Sequence, residues 1–582
     1  MKLRSEQISI QKDSTFIRKI AISFEENDAP RVYPIFYDTE LELLSDIKLF
    51  EQKGKRLKKL YLETIDEEVN LDYITSKKIK SVVIPAEKKV QLTYLVSCNE
   101  LMYLSSLPLF SYNQIDTLEY QIKVPNEFGI THNTIYKDSL SFYSIDSTKT
   151  ENDVLLKLKV APKKVEPDPL QFFGIYKNMK VPLMRTLIIP NSFEGLPAKY
   201  MNDWYLKSVL PQKGLNTTVK EKLDALTLNV TDASEIVNII YDYVRRNFKY
   251  VAIEIGMGAF IPSHVNSVYL NKQGDCKDLS NFLSEALRYK GIECDLALAA
   301  TFDHISDCDF PSLSSANHVI CVAYINDEKI LLDPTDPIHL QGTPVQSLQD
   351  RTILIVNSEG GSFYKVNRFK PEQNIINYQL DLKINSDNDI VEGAFQIDYK
   401  GISSNYLRRI LDIEGQMDFN VFSHRFLEEV LGNQQISNLD YTDSSKGLNF
   451  KGDISIKGKT FSDESNRYLF IDFLPRLIDP ESRETLIEGT YIGNTFKKIL
   501  TAKISLNEPI ETFETIEHYH KGDGLSLRVM ISAISDSVIE CQYSFVFDHI
   551  LTEKENIDTI NKILNSFKNI INEPIVLKKH NG

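Results

Sequence analysis

Three residues of this 582-residue sequence have the types and the order that nucleophilic chemistry requires: Cys276, His318 and Asp333. A thiolate that attacks a carbonyl needs a base to take up and return a proton, and a third group to hold that base in one tautomer. Cys276 stands in "GDCKDLSNFLSEALRYKGI" (274–292), behind a glycine and an aspartate. Leu279, Phe282, Leu283, Ala286 and Leu287 recur at helical spacing, so a helix with one buried face starts at the cysteine and stops at Gly291. Asp275 is placed to cap its first turn. The thiol then faces unpaired N–H groups and the positive end of the helix dipole, which favours a thiolate. Asp275 acts the other way, because its carboxylate repels a neighbouring negative charge. Lys277 and Asp278 read as solvated helix residues.

His318 and Asp333 belong to "NHVICVAYINDEKILLDPTDP", which reads as two strands joined by a tight polar turn. With Asn326 and Asp327 as a two-residue loop, Asp333 falls opposite Ile320, on the face that carries His318. The two side chains are then diagonal neighbours within reach of a hydrogen bond. A three-residue loop without a bulge would put them on opposite faces. Pro334 ends the ladder.

Other reactive side chains form weaker groupings. The six cysteines, at 98, 276, 294, 308, 321 and 541, include no C-x-x-C pair and are too sparse for a disulfide framework. Cys294 and Cys321 alternate with apolar residues and read as core. His518 and His520 in "EHYH" share one face of a strand but lack a third ligand, so they read as an edge strand rather than a metal site. No calcium-type loop occurs either. Neither a metal nor a cofactor is expected. His304, with Asp303, Asp307 and Asp309, reads as a solvated acidic loop beside the cleft.

The elements that must position the three residues occupy the middle of a long chain. With 42% hydrophobic and 25% charged residues it has the composition of a globular protein, and its length implies several domains. Period-two alternation recurs at 16–24, 88–96, 117–124 and 153–160, which predicts an N-terminal β-sandwich domain over 1–165. It ends at the proline-bearing linker "APKKVEPDPL" (161–170). From 171 to 370 the pattern is α+β. In "DASEIVNIIYDYVRRNFKY", Asp232 and Glu235 have capping-box spacing, and Ile236, Ile239, Ile240, Tyr243 and Val244 share a face. Antiparallel strands follow near 294–300, 317–325, 330–333 and 351–356. Residues 375–582 predict a C-terminal, mostly antiparallel β domain with a turn at "NSDND", helical stretches around 402–432 and a closing helix at about 553–571. The fold class is multidomain α+β.

A net charge of −15 argues against nucleic acid or anionic membrane as the main partner. No eighteen-residue apolar run is present, so no transmembrane segment is expected, and "MKLRSEQISIQKDSTF" has no apolar signal region. The chain is cytoplasmic if Met1 is its native start, and periplasmic or exported if it is a trimmed mature form.

The order Cys, His, Asp, with the cysteine heading a helix and the others on adjacent antiparallel strands, resembles the transglutaminase-like core, a relative of the papain arrangement. Forty-two residues separate Cys276 from His318, and fifteen more lead to Asp333. "YVAIEIGMGAFIPSHVNSVYLNKQGDCKDLSNFL", "NHVICV" and "LLDPTDP" resemble in particular a bacterial branch whose core is flanked by N- and C-terminal β domains of unassigned function. The resemblance implies an exported or periplasmic location. It also implies that Cys276 is the nucleophile, His318 the general base and acid, and Asp333 the orienting carboxylate. The activity it implies is cysteine-dependent acyl transfer on amide bonds of a peptide or protein partner, as protease, amidase or transamidase. One oxyanion donor is then the N–H of Cys276. The second departs from the family pattern of an upstream aromatic N–H. The only tryptophan, Trp204, lies in "AKYMNDWYLKSVL", which reads as a distant helix with a core aromatic, leaving Tyr250 or a backbone amide. The rival reading is a non-catalytic binding or scaffold protein using its two β domains.

Overall fold

The computed structural model describes residues 1–68, 74–165, 180–336, 339–385, 390–413, 419–432, 435–444, 447–478, 486–509 and 513–578. Residues 166–170 of the expected linker, and 386–389 of the expected turn, lie outside the described residues. The chain divides into two compact units, the first drawn from residues up to Val366 and the second chiefly from Asn367 onward.

In the first unit, the alternating segments near the N-terminus are the strands Phe16–Phe24, Val90–Cys98, Thr117–Pro125 and Asp153–Ala161. Every second residue of Val90–Cys98 is buried, as a strand with one face on a core demands. These strands belong to an eight-stranded sheet, antiparallel except where Leu3–Ile10 runs parallel to Thr117–Pro125. Two three-stranded sheets complete the sandwich. One comprises Arg31–Asp38, Lys77–Ile84 and Thr64–Glu68, and its Tyr33, Ile35, Val82 and Ile84 pack with Ile20, Ile22 and Leu92. The other comprises Ser106–Pro108, Leu183–Pro190 and Phe128–Ile135, with Met184 and Ile188 packed with Ile8, Ile122 and Leu158. Leu183–Pro190, which follows the linker, is therefore hydrogen-bonded between two strands that precede it.

The rest of this unit is a helical layer on a five-stranded antiparallel sheet, in the order Glu328–Leu332, His318–Ile325, Cys294–Ala299, Thr352–Val356, Ser362–Lys365. Helix Cys276–Tyr289 buries all five apolar positions read from its spacing. The Ser280 hydroxyl donates to the Val319 carbonyl at 2.9 Å, fastening this helix to the strand that starts at His318. Helix Ala233–Asn247 is capped by Asp232, whose carboxylate accepts the Glu235 N–H at 2.8 Å. Its buried face is Ile236, Val237, Ile240, Tyr241 and Val244, so Val237 and Tyr241 replace the expected Ile239 and Tyr243. The rotation follows the phenols: Tyr241 finds a buried acceptor, whereas Tyr243 stays half-buried and accepts a bond from Lys272.

The second unit holds another eight-stranded sheet, antiparallel except where Ile375–Asn385 runs parallel to Phe496–Ser505. Helix Ile557–Asn572 lays Ile560, Ile563, Phe567 and Ile571 on its core, and the two helical stretches read around 402–432 are the helices Ile402–Ile413 and Phe419–Val430. His518 and His520 stand on Ile516–Gly522, the strand at one edge of this sheet. No described helix is long and apolar enough to cross a membrane.

Candidate active site

Cys276 is the first residue of its helix, and the turn before it is built to one pattern. The Asp275 carboxylate accepts the N–H of Asp278, and the Asp278 carboxylate accepts the N–H of Asp275, each at 3.3 Å, a reciprocal cap. A Cβ at Gly274 would lie 2.6 Å from that of Asp278, so a side chain there would push the cap apart. Asp278 also accepts the Ser263 N–H at 2.7 Å. The expectation that Lys277 and Asp278 are solvated is corrected: both are buried, Asp278 because its oxygens serve inward N–H groups, Lys277 because it forms an ion pair with Asp275. Burial pushes the Asp275 carboxyl up, against the pull of Lys277. Its expected repulsion of the thiolate is thus offset by a buried ammonium. With Asp278 and Leu279 bonded back to Asp275, the N–H groups of Cys276 and Lys277 are left without intrahelical acceptors.

The hairpin has the two-residue loop. Ile325 pairs with Glu328 and Cys321 with Leu332, and Asn326 and Asp327 both have positive φ, the geometry of a tight primed turn. The next position, Asp333, lies opposite Ile320 and diagonal to His318, and His318 Nε2 meets Asp333 Oδ2 at 2.7 Å. Since a carboxylate only accepts, Nε2 carries the proton, and Nδ1 is the ring nitrogen that the carboxylate leaves over; Cys276 is close enough to influence the imidazole. Burial alone would push the imidazole down, but the Asp333 charge and hydrogen bond, aided by Cys276, raise it well above its ordinary value. Burial likewise favours a neutral Asp333; His318 and two bonds from Thr335 overcome this and bring the carboxyl to about 2. Thr335 donates its N–H at 3.0 Å and its hydroxyl at 2.7 Å to Oδ1, while the Tyr241 hydroxyl donates to the Asp333 carbonyl at 2.7 Å. Asp333 therefore has little freedom, and the structure brings all three sequence-predicted residues together.

Cys276 and His318 open on a cavity of about 250 Å³. Part of its wall comes from the sandwich: Asp38, Lys77 and Tyr103. Lys77 Nζ lies 2.6 Å from a Glu254 carboxylate oxygen beside the short parallel pairing of Ile74–Thr75 with Ile253–Glu254. Asp38 accepts the Ser76 hydroxyl at 2.9 Å, and that hydroxyl accepts the Gly256 N–H at 2.9 Å. Gly256 has a φ of 49°, and a Cβ there would come within 2.8 Å of Glu40, so glycine is required for this close approach. No local pattern marks these residues, because Lys77 and Glu254 are 177 positions apart.

In the loop before His318, Asp303 and Asp309 are exposed, as in the solvated acidic stretch expected, whereas His304 and Asp307 are partly buried and the loop is tied down by arginines. Buried Arg185 donates to the Asp307 carbonyl at 2.8 Å and pairs with Asp309, and Arg351 donates to the Ser306 carbonyl at 2.6 Å. These guanidinium groups bind the loop to the adjoining sheets. His304 bonds to the Ser314 carbonyl at 2.9 Å, and burial pushes its imidazole down. Cys294 and Cys321 are fully buried. Tyr250 is half exposed. The helix with Trp204, Pro197–Val209, is not distant: its Tyr205 lines the cavity, because the apolar stripe of this helix packs on the sheet beside Cys276.

The family model of the transglutaminase-like superfamily matches residues 220–334, the stretch that holds all three site residues. No curated protein matches the chain significantly. Among solved structures, a Parabacteroides distasonis protein provisionally assigned as a protease is 10% identical, with a TM-score of 0.60 over 99% of this chain and 98% of its own. At that identity the likeness is one of fold, and it extends over both units. A Cytophaga hutchinsonii structure, provisionally a cysteine protease, is also 10% identical and covers 60% of this chain and 86% of its own, with a TM-score of 0.18 that carries no structural argument. Residues 220–334 thus form a transglutaminase-like domain within a larger α+β chain.

Proposed function

We propose that the protein is a cysteine-dependent acyl-transfer enzyme acting on amide bonds of peptides or proteins. Cys276 attacks the carbonyl carbon, His318 protonates the departing amine through Nδ1, and the thioester passes to water or to a second amine. Asp333 holds the other nitrogen and stabilises the imidazolium that forms. The observation that carries this reading is a histidine hydrogen-bonded to a buried carboxylate and sharing a cavity with a thiol at a helix start. The transglutaminase-like domain and the fold shared with a provisionally assigned protease support it.

Hydrolysis and transamidation share every step up to the acceptor. Incubating the protein with a peptide library, with and without an added primary amine, separates them by mass: cleavage products for a hydrolase, amine adducts for a transamidase. Cys276→Ala is expected to yield neither. The same products from that variant would remove the cysteine from the mechanism, and peptides retained but never altered would favour a binding protein instead.

A further inference from the structure

Tyr205 is 1% exposed, and its hydroxyl has no hydrogen-bond partner among the described residues. Buried tyrosine hydroxyls ordinarily find one. The ring is explained by its apolar neighbours, which include Met201, Leu298 and Leu313, but a phenylalanine would serve that packing equally. What the packing leaves over is a buried O–H donor on a residue that lines the cavity shared by Cys276 and His318. Trp204, one residue earlier, is not among the residues lining that cavity, and neither is Tyr250.

We propose that Tyr205 is the second oxyanion donor of this site: its hydroxyl, with the backbone N–H of Cys276, holds the oxygen that becomes negative when the thiolate adds to a carbonyl. The assignment rests on the acyl-transfer reading above. In that step the sulfur lone pair forms the S–C bond and the carbonyl π pair moves onto oxygen, where the two donors meet it. On collapse the pair returns to re-form C=O, the C–N bond breaks, and the amine leaves with the proton held by His318. Tyr205 keeps its own proton throughout. Burial, together with the nearby negative charges of Cys276, Asp275 and Asp278, pushes its ionisation upward, so the phenol is a donor at any working pH. A donor unpaired in the resting enzyme needs no bond broken before it serves the adduct, which is the preorganisation that makes such groups effective.

Two probes of Cys276 in the full-length protein test this. Iodoacetamide alkylates the thiolate by displacement at a saturated carbon and generates no oxyanion; p-nitrophenyl acetate acylates it through a tetrahedral adduct that does. Tyr205→Phe is expected to slow acylation by about 100-fold while alkylation stays within about twofold of wild type. Equal acylation rates would overturn the assignment. So would an equal loss with both probes, which marks a displaced Cys276, or failure of Tyr205→Phe to fold, since an unpartnered hydroxyl is not needed for folding. Cys276→Ala sets the baseline: a wild-type protein acylated no faster than that variant would overturn the acyl-transfer reading itself, and the role of Tyr205 with it.

Discussion

Inside the sandwich, the fully buried Glu6 accepts from Arg18 at 2.6 Å and from Arg4 at 3.4 Å, and Arg18 reaches Glu42 at 3.8 Å. In the core, Asp333 is similarly buried and meets the largely buried His318 at 2.7 Å. Both clusters place carboxylates against cations in a medium that penalises charge, and in both the partners overcome that penalty, so that Glu6 and Asp333 are each held below the usual carboxylate range. The clusters differ in what the cation can do. A guanidinium does not release its proton at any accessible pH, whereas an imidazole gains and loses one. They differ also in what lies beyond the pair: the core cluster continues to a thiol and a cavity, and the sandwich cluster to further ionic and phenolic groups. Burial of charge alone therefore does not mark a reactive site. A proton that can move toward open space does.

The comparison breaks first if the core pair proves merely structural. His318→Ala is expected to slow acylation at least ~100-fold, and Asp333→Asn by about 10²–10⁴-fold, with the fold intact in both. Single-turnover rates beside thermal melts read this. Full turnover by either variant would place the two clusters in one class.

The sandwich cluster has the opposite expected profile. Glu6→Gln leaves the half-buried Arg18 against a neutral amide, and loss of one partner from a buried ion pair costs up to about 3–5 kcal/mol. Urea unfolding measures it, and acylation per folded molecule should not change. A loss below ~1 kcal/mol would mean that solvent screens the pairing of Glu6 with Arg18 and that this cluster contributes little to stability.

Half of this contrast is visible in the sequence and half is not. Helix Cys276–Tyr289 and the hairpin that bears His318 and Asp333 follow rules of period, cap and turn within about twenty residues, so the three site residues are legible. Helix Ala233–Asn247 is legible in extent but not in rotation, because Ile239 and Val237 are alike to a periodicity argument. The buried acceptor that meets Tyr241 lies on the face that turns inward. Lys277 and Asp278 read as solvated because their type is usually exposed; each is buried by specific partners, Asp275 for the lysine and the N–H groups of Asp275 and Ser263 for the aspartate. The contribution of Asp38, Lys77 and Tyr103 to the cavity, and the seat of Leu183–Pro190 between two earlier strands, are products of tertiary packing that no local pattern records.

Acid and alkali sharpen the comparison further. Asp333, held at about 2, contributes stability that is present above the ordinary ~3.9 of an aspartate and lost as pH falls through the folded value. His318 is raised, so its contribution is full below the ordinary ~6.5 of imidazole and lost as pH rises through the folded value. The advantage of wild type over Asp333→Asn should therefore be level between about pH 4 and 6.5 and shrink on both sides. Glu6 is lowered, and its partners are arginines. Its advantage over Gln should shrink only in acid and persist in alkali. Unfolding free energies of the three proteins across pH read both profiles; an alkaline decline for Glu6→Gln matching that for Asp333→Asn would erase the distinction between the clusters.

The smallest expected effect separates what holds the Asp333 backbone from what holds its carboxylate. The Tyr241 hydroxyl donates to the Asp333 carbonyl, while Oδ1 takes both bonds from Thr335 and Oδ2 takes His318. Tyr241→Phe keeps the ring, which also lies 4.5 Å from the Arg245 guanidinium, and deletes one neutral hydrogen bond. Such a bond is worth about 1 kcal/mol net, so a small loss of stability is expected. Because the carboxylate keeps its partners, acylation should fall no more than about fivefold, within the ordinary effect of losing one bond. Thr335→Val removes the hydroxyl bond and keeps the N–H bond, so the drop in rate should be larger for that variant than for Tyr241→Phe, at similar stability. The reverse order would show that the aspartate is aimed from its main chain, and that the carboxylate bonds which distinguish this cluster from the one around Glu6 serve stability more than chemistry.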